Sequence, residues 1–379
     1  MLSFWEKDAW TRYDAIVIGG GIIGLSTAIS LKERHPQRSV VVLERGLFPS
    51  GASTRNAGFA CFGSLTEILS DMKKNGVDAT VRLVGQRWRG LQMLRARLGD
   101  DAIAFEQHGG YELLFEEQLP ALDSLERVNA DLRSVFSGET FSLKNERSAE
   151  FGFNTDRVKA LVYSPLEGQI HSGRMMQALM RLAQSMGILV LTGAEVHALH
   201  DTPTEMRVMV RHLGEDVSLY ATECALCTNA FTSELLPQTG IKPARGQVLL
   251  TSPIPQLALR GTFHLDEGFY YFRNVQTPEG QRILLGGGRN LAFHEEETSA
   301  LELNAHIHSK LDELLHTTIA PQQTLAVEHR WSGIMGFQEN KLPEVRRVSE
   351  HCVIGFGCNG MGVALGSIIG TETAEMLFS

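Results

Sequence analysis

The residues with the clearest chemical purpose lie near the amino terminus, in Gly19-Gly20-Gly21-Ile22-Ile23-Gly24. They follow residues 13–18, an apolar run rich in β-branched side chains that reads as a buried parallel strand. Gly19 permits a tight turn, Gly21 lets the backbone approach a pyrophosphate, and Gly24 allows close helix–strand packing. Residues 25–33 read as a helix ending before Pro36. Its opening turn, around Ile22 and Ile23, offers free N–H groups and a positive dipole end to phosphates. Residues 39–44 then read as a second strand closing on an acid. Glu44 lies about 20 residues past Gly24, where a carboxylate bonds ribose hydroxyls. It would repel a 2′-phosphate, an inference that Arg45 beside it softens. These parts specify a dinucleotide, and by themselves leave FAD and NAD both open.

The choice turns on the next segment, the small polar stretch Gly51-Ala52-Ser53-Thr54-Arg55-Asn56-Ala57-Gly58-Phe59-Ala60. Here the chain resembles the D-amino-acid oxidase superfamily of FAD enzymes, which includes glycine oxidase, sarcosine oxidase and the D-amino-acid dehydrogenases. Members carry a similar Gly-x-Ser-x-x-Asn-Ala-Gly segment under the flavin. The resemblance implies FAD contacts at Ser53, Thr54, Arg55, Asn56, Ala57 and Gly58. It continues through Gly168-Gln169-Ile170-His171-Ser172 and a helix over 174–186, and through a strand over 189–196, where Val196 would meet the adenine. In the turn after Cys227, residues Thr228, Asn229 and Ala230 stand where the family reads Ala-x-Gly-Ala-Trp. Asn229 takes the glycine position and is among the side chains that best tolerate positive φ. Last comes residues 355–362, in which Asn359, Gly360, Met361 and Gly362 would cup the isoalloxazine before an apolar helix over 363–377. The start of that helix would direct N–H groups at the pyrimidine end of the ring.

The elements that must position these segments imply an α/β chain. A Rossmann-type FAD-binding domain is expected over 11–75, 155–235 and 325–379. A discontinuous α+β substrate domain with a mostly antiparallel sheet would take 76–154 and 236–324. It would include a helix over 80–98 and strands over 109–115, 246–251, 269–272 and 283–286. Ligands in such folds sit where domains meet.

A flavin supplies the redox step itself, so the protein has to bind, orient and tune rather than provide a nucleophile. Tyr271 and Arg273, two apart in a strand, share a face and read as substrate-orienting residues. Arg289, after Gly286-Gly287-Gly288, is a third candidate, and an arginine at such a site forks onto a carboxylate. For Arg273 the alternative is the end of an edge strand pointing to solvent. Three departures from the family pattern bear on function. Met335 stands where glycine oxidase-like members have a carboxylate-binding arginine. No cysteine occupies that stretch, so non-covalent FAD is expected, and Leu284 replaces a lysine that assists reaction with oxygen. The resemblance implies oxidation of the C–N bond of an amino acid or secondary amine, with oxygen or another electron acceptor. A hydroxy-acid donor, or a non-catalytic FAD-containing assembly protein, is the alternative.

A net charge of −9 argues against nucleic acid as the main partner. Five scattered cysteines suit a reducing cytoplasm, and no apolar run is long enough to span a bilayer. No spacing reads as a metal site. Cys224 and Cys227 on a strand point to opposite faces, and His306 and His308 on a helix do not share one, so solvated histidines are expected. Cys61 and Cys358 lie near the flavin segments. The run His294–Glu297 is expected to open a helix, and Phe4, Trp5 and Trp10 to pack back onto the domain.

Overall fold

The computed structural model describes residues 1–212, 214–338 and 342–379. Two eight-stranded sheets organise it. The first runs in the order Glu344–Ser349, Cys352–Phe356, Glu215–Leu226, Arg12–Ile18, Val40–Glu44, Leu189–Thr192. Along this path every neighbouring pair is parallel except the first, and the antiparallel strands Met206–His212 and Glu195–Asp201 extend the sheet from Glu215–Leu226. Residues 15–18 and 40–43 of its central strands are apolar and buried because both faces are covered, with separate clusters packed on each side. The second sheet runs Val327–Phe337, Lys242–Thr251, Gly280–Gly287, Tyr270–Thr277, Thr262–Leu265, Gly110–Leu114, Ala160–Ser164, Ser142–Leu143. It is antiparallel apart from the pairing of Thr262–Leu265 with Gly110–Leu114. The expected α/β class with a mostly antiparallel second sheet is therefore observed.

Several expectations are corrected. Ala160–Ser164 and Val327–Phe337, assigned by sequence to the dinucleotide domain, hydrogen-bond within the second sheet. Residues 189–196 are not one strand. Gly193, at φ +69, breaks the run, so Val196 lies on Glu195–Asp201, part of an antiparallel hairpin. The run His294–Glu297 precedes the helix Ala305–Leu314 without entering it. Its Glu296 is fully buried and takes a bidentate pair from Arg245 at 2.8 and 2.9 Å, a use that outweighs any dipole contact. His308 is buried against Arg330 at 2.8 Å, and only His306 is solvated. The helix Phe4–Trp10 buries none of its residues, so Phe4, Trp5 and Trp10 stand exposed. A Ser3–Glu6 capping box lets so short a helix form without burial. Among the described residues no helix is long and apolar enough to cross a membrane.

The helix Gly362–Met376 packs between Ile22–Arg34 and Val77–Leu98, and glycines set the spacing. A Cβ at Gly366 would lie 2.1 Å from Ile22 Cγ2, and one at Gly90 would lie 2.1 Å from the Ala364 carbonyl oxygen. At Gly370 the obstruction is Ser26 Cβ at 2.6 Å and the Ile23 carbonyl oxygen at 2.7 Å. Close approach at these positions fixes the amino-terminal ends of two helices relative to each other. Gly370→Ala must therefore push backbone apart, and we expect it to destabilise the protein by about 1–3 kcal/mol. An unchanged denaturation midpoint would show that the crossing is not tight.

Candidate active site

The strand Arg12–Ile18 ends at Gly19, whose φ is +104 and whose Cβ would lie 2.6 Å from the Cys227 carbonyl oxygen. A Cβ at Gly24 would lie 1.8 Å from the Gly19 carbonyl oxygen. Space requires both glycines, and at Gly19 the positive φ requires one as well. Gly21 caps the helix Ile22–Arg34 and has no side chain to engage its first-turn N–H groups. Ser53 Oγ accepts from Ile22 N–H at 3.0 Å, which brings the loop over 51–58 against this helix start. Glu44 is buried and accepts from Gly20 N–H at 3.0 Å and Gly46 N–H at 2.8 Å. A carboxylate has about four acceptor positions, so capacity remains for ribose hydroxyls. Arg45 stacks on Phe231 at 3.7 Å and faces Glu234 at 3.9 Å, so its charge is already engaged. This cradle fits the ADP half of FAD.

The loop over 51–58 is held from within and from both sides. It contains one helical turn, Ala52–Arg55. Asn56 Nδ2 donates to the Ala52 and Ser53 carbonyls, while Oδ1 accepts from Gly58 N–H at 2.8 Å and Ser172 Oγ at 2.7 Å. Thr54 Oγ1 donates to the Pro49 carbonyl at 2.7 Å. Arg55 reaches the second sheet, donating to the Ser332 carbonyl at 2.9 Å, and its own carbonyl accepts from Trp331 Nε1 at 3.0 Å. Arg273 completes the fastening. Its Nε donates to the Ala57 carbonyl and Nη2 to the Ile170 carbonyl at 3.0 Å, beside Gly58 at φ +73. Burial pulls the Arg273 guanidinium down to about 10, which still leaves it charged at neutral pH. Arg273 lies on an interior strand, so neither the solvent-facing nor the freely cavity-facing expectation describes it.

Asn229 adopts φ +47, as its place in the turn requires, with Thr228 bonded through its hydroxyl to Thr232 and Ala230 buried. Asn229 Oδ1 is buried and has no hydrogen-bond partner among the described residues. That orphaned acceptor lies in the segment the resemblance places against the cofactor. At the far end, Asn359 (φ +48) and Gly360 (φ +89) turn the chain into the helix Gly362–Met376. Gln338 N–H donates to Asn359 Oδ1 at 2.9 Å, and Met361 N–H to the Cys358 carbonyl at 2.8 Å. Met361, the cap residue, makes no side-chain bond to the first turn, which leaves its N–H groups for a ligand.

Across the second sheet, register aligns Tyr271, Gly286, Val248 and Trp331 in one row. A Cβ at Gly286 would lie 2.7 Å from Tyr271 Cε2, so the ring lies over that glycine. Ala57, Val248 and Leu284 are buried together, with Phe59, Leu250, Tyr271 and Trp331 packed against them. The loop over 51–58 and the sheet thus share an apolar face. Burial pushes the Tyr271 hydroxyl up to about 12, so it is a donor throughout the physiological range. Arg289 is half-buried and stacks on Phe337 at 4.2 Å and Phe293 at 4.9 Å. Desolvation lowers its proton affinity, while Glu297 and Glu296 act on it only at longer range. Those two acids are engaged by Lys242 and Arg245. Among the described residues no carboxylate reaches Arg289 within ion-pair distance. Phe337, beneath it, extends to 3.9 Å from where a Gly360 Cβ would be. Arg289 is therefore close to the carboxy-terminal loop.

Tyr271 and Arg273 do share a face, but of the three substrate-orienting candidates Tyr271 and Arg289 are the ones with no hydrogen-bonded polar partner among the described residues. Sequence reading missed the parts played by Ser172, Phe59, Trp331 and Phe337. Ser172 and Phe59 lay inside segments already singled out, while Trp331 and the stacking of Phe337 under Arg289 had no local signal. A groove of about 450 Å³ lined by Arg82, Gln86, Arg89, Ser134, Leu342 and Glu372 contains none of these residues.

A family model described as FAD dependent oxidoreductase matches residues 14–376. Glycine oxidase of Geobacillus kaustophilus is 23% identical over 97% of this chain and 93% of its own length. A probable oxidoreductase, OrdL, of Haemophilus influenzae is 22% identical over 96% of this chain and 82% of its length. Among solved structures, L-proline dehydrogenase from P. horikoshii superposes with a TM-score of 0.77 at 19% identity, covering 97% of this chain and 93% of that one.

The Arg273 contacts predict a cofactor phenotype. Arg273→Ala leaves two buried carbonyls without a donor, which we expect to cost about 2–5 kcal/mol and to release flavin. Chemical denaturation and flavin content of the purified variant measure both. Wild-type values for each would remove the clamp role.

Proposed function

Since this chain belongs to the FAD-dependent oxidoreductase family, we propose that it oxidises the C–N bond of an amino acid or N-substituted amino acid whose carboxylate Arg289 binds. The observation carrying this reading is the half-buried guanidinium on Phe337, close to the carboxy-terminal loop and with no carboxylate within ion-pair distance among the described residues. FAD, when bound, supplies the two-electron acceptor for the donor's C–H hydride.

The residues of this chain do the rest. Gly19, Gly21, Ile22, Ile23, Gly24 and Glu44 would hold the ADP half, with Val196 and Thr228–Ala230 nearby. The loop over Ser53–Gly58 and residues Asn359–Gly362 would hold the ring, without a covalent link. Arg289 anchors the anionic end of the donor by a charge-assisted bond. Tyr271 offers a protonated hydroxyl beside the apolar face, and Leu284, Val248 and Trp331 keep water from it. A dry, oriented site favours donation from the carbon next to nitrogen. Buried Arg273 and half-buried Arg55 position the loop and do not touch the donor. All five cysteines are free thiols, which supports a reducing, cytoplasmic setting.

Anaerobic mixing of the FAD-loaded protein with a panel of amines, amino acids and hydroxy acids is the direct test. Carboxylated amines should bleach the flavin; a panel with no response, or bleaching by hydroxy acids alone, overturns the assignment. Arg289→Ala should weaken the apparent affinity for such donors about 10- to 100-fold, with flavin content unchanged. An unchanged affinity would place the carboxylate elsewhere. Because the Tyr271 hydroxyl stays protonated to about pH 11, Tyr271→Phe should leave any alkaline limb of kcat/KM below that pH in place. Loss of the limb would show that the tyrosine itself titrates there.

A further inference from the structure

Behind the loop over 51–58 lies a second cluster that the proposed reaction does not use. Cys61, Glu167 and His264 are all buried, and one donor atom from each lies within 4.8 Å of the others. They come from three separate segments. Cys61 follows the short strand Phe59–Ala60, Glu167 precedes its partner strand Gly168–Gln169, and His264 lies on Thr262–Leu265 of the second sheet. Thiolate sulfur, imidazole nitrogen and carboxylate oxygen form a donor set suited to a borderline-soft divalent ion.

The protein contacts around these donors are loose. Glu167, almost wholly buried, is met by His264 Nε2 at 3.2 Å, Phe62 N–H at 3.4 Å and Thr262 Oγ1 at 3.5 Å. Charge-assisted bonds are ordinarily about 2.7–2.9 Å. Among the described residues the Cys61 thiol makes one hydrogen-bond contact, to the Met361 thioether sulfur at 3.8 Å. The surroundings supply an outer shell. Phe62 N–H and the Thr262 hydroxyl address Glu167, and Phe59 packs edge-on against His264 at 5.2 Å. Outer contacts of this kind orient metal ligands.

We propose that Cys61, Glu167 and His264 form a site for one zinc ion, which ties the flavin-side strand to the second sheet. Binding forms three ligand bonds and sends to solvent the Cys61 thiol proton, together with the second imidazole proton wherever His264 is charged opposite Glu167, with no change of oxidation state. A fourth position is left for water or for the Met361 sulfur. The site is independent of the Arg289 assignment, since neither Arg289 nor Tyr271 is among its ligands.

The FAD-loaded protein, stripped with a chelator, is dialysed against zinc sulfate and passed over chelating resin before elemental analysis. About one zinc per chain is expected, with a raised thermal midpoint. Magnesium and calcium, which prefer all-oxygen ligands, should not replace it. Substituting cobalt should give tetrahedral d–d absorption in the red, beyond the bands of the oxidised flavin. Cys61→Ser and His264→Gln should each lose the bound metal while keeping flavin. Absence of retained zinc in the wild type, equal retention of magnesium, or zinc retained by both variants would each overturn the site. Should the variants fail to fold, the cobalt spectrum of the wild type decides alone: an octahedral spectrum or none overturns the proposal.

Discussion

One buried cation supports the geometry of the flavin-facing side. Arg273 reaches from an interior strand of the second sheet to the carbonyls of Ala57 and Ile170, on either side of Gly58. Among the described residues no carboxylate lies at contact distance, and carbonyl dipoles stabilise the charge instead. Taking a guanidinium out of water is unfavourable unless its donors are engaged. Here the same bonds that stabilise the charge fix the path of the loop. Gly58 is the necessary counterpart, since a Cβ there would lie 2.3 Å from the Ile170 carbonyl oxygen and 2.9 Å from Arg273 Nη2. Arg55, reaching the Ser332 carbonyl in the opposite direction, makes a second tie. A loop anchored at both ends to a rigid sheet holds a ring in a defined plane, as positioning for hydride transfer demands.

The other half of the frame is made by close helix packing. Glycines at 90, 366 and 370 bring three helices together at spacings that no Cβ would permit. This sets the amino-terminal end of Ile22–Arg34, which would serve phosphates, against that of Gly362–Met376, which would serve the ring. The distance between the two ends of a bound dinucleotide is thus built into helix contacts rather than into loops. That arrangement resists distortion because packed interiors are dense and transmit strain.

The arginines differ in their company, and company decides their work. Arg245 is paired with Glu296, Arg87 lies against Glu67 and Asp71, and Arg282 meets Glu328. Arg273 is surrounded by carbonyls. Arg289 alone among these five has aromatic faces in place of any hydrogen-bonded oxygen among the described residues. An unpaired, half-desolvated cation is poised for an anion from outside, whereas a paired one of equal burial is part of the frame.

Much of this was legible from the chain alone. The run from strand to glycine turn to helix to Glu44 is contiguous, and each residue is constrained by neighbours close in sequence, so backbone sterics and dipole alignment specify it locally. Asn229 at positive φ was readable for the same reason. Membership of strands in sheets was not, as Ala160–Ser164 and Val327–Phe337 show, because partner choice depends on register between distant segments. The task of Arg273 could not be read either: its two carbonyl partners lie 216 and 103 residues away. Cys61, Glu167 and His264 are equally scattered. Local sequence determined the dinucleotide-binding unit; only the folded chain, by deciding which charges meet a partner, separated the arginine that fastens the loop from the one proposed to meet substrate.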